Sequence, residues 1–425
     1  MKFLAVGDMH LGRTPSRLPP ELHAPDLGPA AAWRRTVAAA VDQGVKAVLL
    51  AGDVVDRDDD FFEAYRALER GVRTLADADV DVIGVAGNHD VKVLPRLVRH
   101  IPQFRLLGEG GRWESCRIEN DGESITLWGW SFPQVRVLSS PLEGHSPDPT
   151  PGINLGLLHC DRDAGPDSPY APTSRLELAR AGLDGWLLGH IHKPDALTAA
   201  SPNGYLGSLT GMDRSESGPR GPWMITVRDG RIAEVEHLPL APLRWEPLDV
   251  DLEGIGEPFQ ARERLLAAVT DLDGRMASLP IAPNAVGLSV FLSGRTGLGN
   301  AALDQFSPED RNETHTGAAG IRYFIESIHL DTRPEIDLED LARRQDPVGL
   351  LAARLLWLER PEGDPDRDRL VGEARQALRD QSTQPVWRGL PAGGGAPEPT
   401  AWLRRAGYRA LDHLLGQIPD RRDAG

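Results

Sequence analysis

The first 90 residues alternate between short apolar runs and longer segments with helical spacing. The runs KFLAV, KAVLLAGD and VDVIGVAGNHD are typical of strands. PAAAWRRTVAAAVDQG, which ends at Gly44, and FFEAYRALERGVRTLADAD are typical of helices. This strand–helix–strand–helix–strand order predicts a parallel sheet with right-handed crossovers. Ligands of such sheets bind beyond the carboxyl ends of the strands, so the residues that follow each strand are the first candidates for a functional site.

After the first crossovers the pattern changes to short β-like runs separated by turn residues. These runs are SCRIEN, ESITLWGWSF, NLGLLHC, GWLLGHI, GYLGSL and WMITVRDGRIAEVEHLPL. In the last of them Asp229 and Gly230 predict a tight hairpin turn. We therefore expect an α/β fold in which a second sheet packs on the first, giving a two-layer β-sandwich core flanked by helices.

The rest of the chain predicts two further regions, so we place domains at 1–243, 244–345 and 346–425. The middle region combines the strand-like AVGLSVFLSGRT and YFIESIHLD with the helical FQARERLLAAVTDLDGRMA, which predicts a small α/β capping domain. The last region contains the helical PVGLLAARLLWLER, DRLVGEARQALRD and TAWLRRAGYRALDHLL. The Gly/Pro-rich RGLPAGGGAPEP predicts a flexible linker, and the final helix is expected to dock on the body or on a partner.

The composition limits the class of protein. Of 425 residues, 40% are hydrophobic and 26% charged, which is ordinary for a soluble globular chain. No apolar stretch is long enough to cross a membrane, Asp8 and His10 interrupt the first apolar run, and two cysteines cannot form a disulfide framework. We therefore expect a cytoplasmic protein with no membrane contact. A net charge of −16 argues against unaided nucleic-acid binding, although bound cations or a basic partner would invert the local field.

Residue types that bind metals follow every predicted strand exit of the first half. They are Asp8 and His10, then Asp53 and Asp56, then Asn88, His89 and Asp90, then His159, and last His190 and His192. The two histidines of GHIH are two positions apart, which on an extended chain places them on the same side. A mixture of imidazole and carboxylate ligands favours manganese, iron or zinc over magnesium or calcium.

Such a set of ligands can hold two divalent cations. A pair of cations about 3.5–4 Å apart needs an anionic oxygen between them, and Asp53, at the end of the central strand, is our candidate bridge. We assign Asp8, His10 and His192 to one cation and Asn88, His159 and His190 to the other. A water between the cations would attack phosphorus in line.

Other residues near these strand ends are candidates for supporting roles. His89 is our candidate to stabilise or protonate the leaving oxygen, with Asp90 orienting its ring. Asp56 is expected to orient a ligand. Arg57 is expected either to touch a substrate phosphate or to pair with the acidic run Asp58–Asp60, and Arg220 to help shape a substrate channel.

The order of these blocks resembles the calcineurin-like metallophosphoesterase superfamily. GDMH, GDVVD, GNHD, LLH and GHIH stand in the order of that superfamily's signature, within the predicted domain 1–243. GLLHCDRDAGPDSPYAP and GWLLGHIHKPDAL are similar to blocks of its SbcD/YhaO-type DNA-repair nucleases. The resemblance implies a manganese-dependent phosphodiesterase domain, a capping domain, a DNA substrate, an SMC-like coiled-coil ATPase partner and, as a further expectation, a homodimer.

One departure from the family and two alternative functions stay open at this stage. Some related nucleases have a histidine three positions after the bridging aspartate, where this chain has Asp56, so the acid role falls to His89 alone. The first hypothesis is a DNA exonuclease or endonuclease in repair. The acidic composition favours a phosphatase or phosphodiesterase acting on phosphoproteins or small phosphoesters. A third interpretation is a subunit that mainly docks an ATPase.

Overall fold

The structure is a computed structural model that describes residues 1–57, 61–165, 167–298, 302, 313–333, 335–382 and 399–415. Its strands are β1 Lys2–Val6, β2 Ala47–Ala51, β3 Asp81–Val85, β4 Phe104–Leu106, β5 Glu114–Asn120, β6 Glu123–Trp130, β7 Ile153–His159, β8 Gly185–Gly189, β9 Asn203–Tyr205, β10 Trp223–Arg228, β11 Arg231–His237, β12 Leu243–Asp251, β13 Ala285–Arg295, β14 His315–Thr316 and β15 Arg322–Arg333. Its helices of the α type are α1 Pro29–Asp42, α2 Phe61–Asp77, α3 Leu94–Val98, α4 Arg175–Arg180, α5 Pro258–Ala277, α6 Leu338–Leu341, α7 Pro347–Leu358, α8 Pro365–Ser382 and α9 Pro399–Leu415.

The chain divides into two compact units. The first contains Met1–Gly294 and Leu298–Thr332, and the second contains Arg295–Gly297 and Arg333–Gly425. The predicted domain boundaries after residues 243 and 345 stay predictions.

The first sheet has the strand order β11-β10-β1-β2-β3-β4. Its strands β1 to β4 are parallel, as the alternating pattern predicts, and β10 adds antiparallel to β1. The hairpin between β10 and β11 turns at Asp229 and Gly230, whose φ angles of 53° and 66° are those of the tight turn that the sequence predicts. Because β1, β2 and β3 are parallel neighbours, their carboxyl ends meet at one edge.

The second sheet packs face to face on the first, so the two-layer core is confirmed. Its strand order is β5-β6-β7-β8-β9, and β6 to β9 run parallel to one another. Ala5 and Leu49 of the first sheet share one buried cluster with Leu155, Leu157 and Leu187 of the second. This packing brings the carboxyl ends of β7 and β8 to the same side as those of β1 to β3.

A third sheet follows in the chain, in the order β12-β13-β15-β14, with α5 packed against it. The predicted strands after residue 284 and the predicted helix are confirmed. The sequence pattern indicated no strand at LRWEPLDVD, which contains Pro247. The segment is nevertheless β12, and it tolerates proline because β12 is an edge strand.

This third sheet is joined to loops of the sandwich by an ion-pair cluster. Glu326 of β15 has a side chain that is 2% exposed. One of its oxygens accepts from Arg17 at 2.6 Å, and the other lies 3.5 Å from Arg214. Arg17 belongs to the loop after β1, and Arg214 begins a short 3-10 helix, Arg214–Glu216.

The second unit is helical, as predicted. Ala352 and Leu355 of α7 and Leu411 of α9 lie in its buried core. Most of the predicted linker RGLPAGGGAPEP lies outside the described residues. Among the residues that the structure describes, no helix has the length and apolar character to span a bilayer.

Helices α1 and α2 pack so closely at Gly71 that a residue with a Cβ would not fit there. A Cβ at Gly71 would lie 2.1 Å from Nε1 of Trp33, which is 1% exposed. We therefore expect Gly71→Ala to lower the free energy of unfolding by about 1–3 kcal/mol, because the ring cannot move aside in a close-packed core. The matched control is Gly274→Ala in α5, where a Cβ meets nothing within 4 Å, and we expect it to stabilise by roughly 0.5–1 kcal/mol. Urea denaturation monitored by circular dichroism measures the free energy of unfolding of both variants. An unchanged midpoint for Gly71→Ala would contradict the packing argument.

Candidate dimetal centre

Five strand ends supply the polar residues of one pocket. Asp8 and His10 follow β1, Asp53 follows β2, Asn88 follows β3, His159 ends β7, and His190 and His192 follow β8. Three groups of these side chains, with neighbours, have ligand atoms within 4.8 Å of one another: Asp8, His10 and His192; His10, Asp56 and His89; and Asp8, Asp53 and His159. The sequence therefore predicted correctly which strand ends converge.

Asp53 lies at the middle of the pocket. Its Oδ1 accepts from the backbone N–H of His89 at 3.0 Å, which fixes the direction of the carboxylate. Its Oδ2 lies 3.3 Å from Nε2 of His159 and 3.8 Å from Nε2 of His10. One oxygen thus faces histidines from both halves of the pocket, which is the arrangement that a bridging ligand between two cations needs.

On one side of Asp53 lie Asp8, His10 and His192. The Nε2 atoms of His10 and His192 are 3.0 Å apart and face each other. The Oδ1 of Asp8 accepts from the backbone N–H of His190 at 2.8 Å, whereas its Oδ2 is buried and has no hydrogen-bond partner. A buried carboxylate oxygen without a partner is costly, so this donor set fits a cation.

On the other side lie Asn88 and His159. The Nδ1 of His159 donates to the carbonyl of Ala51 at 3.1 Å, and its Nε2 faces Oδ1 of Asn88 at 3.0 Å and the Asp53 carboxylate. Burial lowers the pKa of His159, but the charge of Asp53 and the hydrogen bond to it outweigh burial and raise the pKa to about 9. The oxygens of Asn88 and Asp53 therefore favour a positively charged group at Nε2 of His159. Either a proton or a metal ion would be such a group.

His190 lies beside this half but outside the three ligand groups. Its ring centroid is 5.2 Å from that of His159 and 5.1 Å from that of Tyr170. Burial, followed by the charge of His159, lowers the pKa of His190 to about 4. The imidazole is therefore neutral near pH 7, which is the form that binds metals.

The backbone of the pocket is strained at three of its side chains. His10, Asp53 and His190 have φ angles of 48°, 46° and 104°, in the region that residues with a Cβ rarely adopt. The N–H of His10 donates to the carbonyl of Asp53 at 2.8 Å, which ties two strained loops together. Strain of this kind persists where the surroundings over-determine the conformation, and it is concentrated at functional sites.

Two carboxylates orient the imidazoles of His10 and His192. Nδ1 of His10 donates to Asp56 at 3.0 Å, and Nδ1 of His192 donates to Glu216 at 2.7 Å. Both contacts direct Nε2 into the pocket, as is usual for histidine ligands of metals. Asp56 therefore contacts a predicted metal ligand, in keeping with its expected role of orienting one. Glu216 was missed, because no spacing rule relates a carboxylate in MDRSESGPRG to the GHIH block.

His89 is at the open side of the pocket, and its ring centroid is 5.0 Å from that of His10. The prediction that Asp90 orients this ring is wrong, because His89 Nδ1 donates to the backbone carbonyl of Asp56 at 3.0 Å. The Asp90 carboxylate instead accepts from the backbone N–H groups of Val54 at 2.6 Å and Gly87 at 2.7 Å. Asp90 therefore joins the loops after β2 and β3. Burial, followed by the charge of Asp53, raises the pKa of its carboxyl.

The two arginines proposed for substrate contact differ in exposure. Arg57 is largely exposed, and its Nε lies 3.3 Å from Oδ2 of Asp56. Its predicted alternative partners, Asp58–Asp60, lie outside the described residues. Arg220 is 4% exposed, and burial lowers the pKa of its guanidinium. Because Arg220 is buried, it does not lie on an open surface that a substrate could contact.

Comparison with known proteins agrees with this geometry. Residues 1–194 match the family model of calcineurin-like phosphoesterases. This part of the chain is a calcineurin-like metallophosphoesterase domain. Its five signature blocks are the ones that surround Asp53, so the resemblance expected from the sequence is confirmed.

Two curated proteins are similar to this chain in sequence. It is 26% identical over 261 residues to the uncharacterized metallophosphoesterase YhaO of Bacillus subtilis, covering 59% of this chain and 63% of the relative. It is 25% identical over 267 residues to the DNA double-strand break repair protein Mre11 of Methanopyrus kandleri, covering 56% of each. The match thus spans little more than half the length of these relatives. Among solved structures, a dimetal phosphatase from Danio rerio aligns with a TM-score of 0.35 and 14% identity, covering 56% of this chain and 98% of the other.

The role of Glu216 beside His192 can be tested by Glu216→Gln. The substitution keeps the size of the side chain but removes the charge that holds Nδ1–H of His192. We expect manganese affinity at one site to fall about 10–100-fold, measured by isothermal titration calorimetry. Glu236→Gln, on the exposed face of β11, is the matched control and should titrate like the unmodified chain. Equal affinities for all three proteins would show that Glu216 does not support a ligand.

Proposed function

We propose that the chain is a dimetal phosphodiesterase that hydrolyses DNA phosphodiester bonds in repair, with exonuclease or endonuclease activity. The observation that carries the proposal is the single Asp53 oxygen that lies 3.3 Å from His159 Nε2 and 3.8 Å from His10 Nε2, with the unpartnered Asp8 oxygen in the same buried pocket. The similarity to a relative named as a DNA double-strand break repair protein supports the choice of DNA. Imidazole, carboxylate and amide ligands together support manganese, with iron or zinc as the alternatives.

The side chains of the pocket have separate tasks in this reaction. Asp8, His10, Asp53 and His192, with Asn88, His159 and His190, would hold the cations, which would supply a water of lowered pKa and stabilise negative charge on the phosphoryl oxygens. Asp56 and Glu216 keep the His10 and His192 rings in the tautomer whose Nε2 faces inward. The backbone of Asp56 holds His89 at the open side, so that its Nε2 can carry a proton to the leaving oxygen.

A second candidate function is favoured by the charge of the chain. With a net charge of −16, the protein repels a polyanion more than it repels a small phosphoester or a phosphoprotein segment. The chemistry at the metals would be the same, and only the substrate would differ.

A comparison of three substrates separates these two functions. The manganese-loaded chain is given bis-p-nitrophenyl phosphate, p-nitrophenyl phosphate and linear DNA in parallel. We expect turnover of the diester and of DNA to exceed turnover of the monoester, since a phosphodiesterase site accommodates a second ester group. A marked preference for the monoester with no cleavage of DNA would replace the nuclease proposal with the phosphatase one.

His89→Ala tests the task of the exposed histidine. We expect the variant to retain its full manganese content and to lose about 10²–10⁴-fold in turnover, because a general acid contributes that much. Metal analysis and initial rates with bis-p-nitrophenyl phosphate give the two readouts. His23→Ala removes another exposed imidazole, which pairs with Asp26, and serves as the control with unchanged turnover. Turnover of His89→Ala equal to that of this control would contradict the acid role.

A further inference from the structure

A cavity of about 350 Å³ adjoins the metal centre on the side of His10. Its lining includes Arg13, Thr14, Ser16, Asp56, Arg57 and Asp213. Asp56 forms the wall between this cavity and the metal centre, because its Oδ1 is the atom that accepts from His10. We call this space the Arg13 cavity.

The acidic side chains of the Arg13 cavity are already engaged. Asp56 binds His10 through Oδ1 and lies 3.3 Å from Arg57 through Oδ2. Asp213 caps the following 3-10 helix, where it accepts from the backbone N–H of Ser215 at 2.9 Å. The guanidinium of Arg13 has no hydrogen bond or ion pair among the described residues. The donors of the Arg13 guanidinium are therefore not used by the described residues, which suits an anion.

Arg13 is also held close to the metal ligands. Its backbone N–H donates to the carbonyl of His10 at 3.1 Å, so the position of the arginine depends on that of a ligand. Burial raises the pKa of Asp56, but the hydrogen bond and charge of His10, and then the charge of Arg13, lower it below its usual value.

We propose that the Arg13 cavity binds the phosphate next to the scissile phosphate of a nucleic-acid strand. The inference rests on the proposed function and deepens it. A guanidinium presents a fork of donors that matches phosphate oxygens, and Thr14 lines the same space. A substrate with two consecutive phosphates engages the metals and Arg13 together, whereas a substrate with one phosphate engages only the metals. The cavity thus selects polynucleotides over small monophosphates in an otherwise acidic protein.

The test compares two small ligands on the manganese-loaded chain by isothermal titration calorimetry. Thymidine 3′,5′-bisphosphate has two phosphates one sugar apart, and thymidine 5′-monophosphate has one. We expect the bisphosphate to bind about tenfold more tightly, which corresponds to about 1.4 kcal/mol. Arg13→Ala should remove most of this preference, while Arg13→Lys should keep part of it because the charge remains and the fork is lost. Arg117→Ala removes an exposed arginine on β5 that pairs with Glu119, and it should leave the preference unchanged.

The outcomes separate this inference from the proposed function, because binding is measured without turnover. An unchanged preference in Arg13→Ala, or the absence of any preference in the unmodified chain, overturns the Arg13 subsite. A preference that depends on Arg13 in a chain that cleaves no DNA upholds the subsite and refutes the nuclease. In that case the second phosphate belongs to a small bisphosphate substrate.

Discussion

Two carboxylates buried side by side impose the main physical constraint on this protein. Asp8 and Asp53 are 1% and 2% exposed, and a buried charge is tolerated only when an opposite charge or strong hydrogen bonds compensate it. In the metal-free state, the protonated His159 supplies part of that compensation. A pair of divalent cations would supply all of it, which makes this pocket a site whose own electrostatics favour metal binding.

The rest of the fold holds Asp8 and Asp53 close together although their negative charges repel each other. Two sheets with a shared core place five strand ends at one edge, and the strained loops at His10 and Asp53 are linked by backbone hydrogen bonds. Asp90 extends this network, since its carboxylate accepts backbone N–H groups from the loops after both β2 and β3. The local backbone strain is therefore distributed over a rigid frame, as expected where a ligand geometry must exist before the ligand binds.

The sequence predicted the parts of this protein that depend on periodicity and order. Apolar runs with a polar residue at each exit revealed the sheets and the convergence at Asp53. It failed where the contact is tertiary and irregular: Glu216 reaches His192 from a 3-10 helix, and Asp90 turns to backbone amides instead of His89. It also assigned no strand to Leu243–Asp251, which is the edge strand β12. The ATPase partner, the homodimer and the cytoplasmic location stay predictions.

The ion pairs of Glu326 connect the third sheet to two loops that border the pocket. Arg17 lies four residues beyond Arg13, and Arg214 lies two residues before Glu216, so one buried glutamate tethers both the proposed anion subsite and the support of His192. A tilt of that sheet must either break these ion pairs or pull both loops with it. A displacement of the third sheet would thereby be transmitted to two loops that border the pocket.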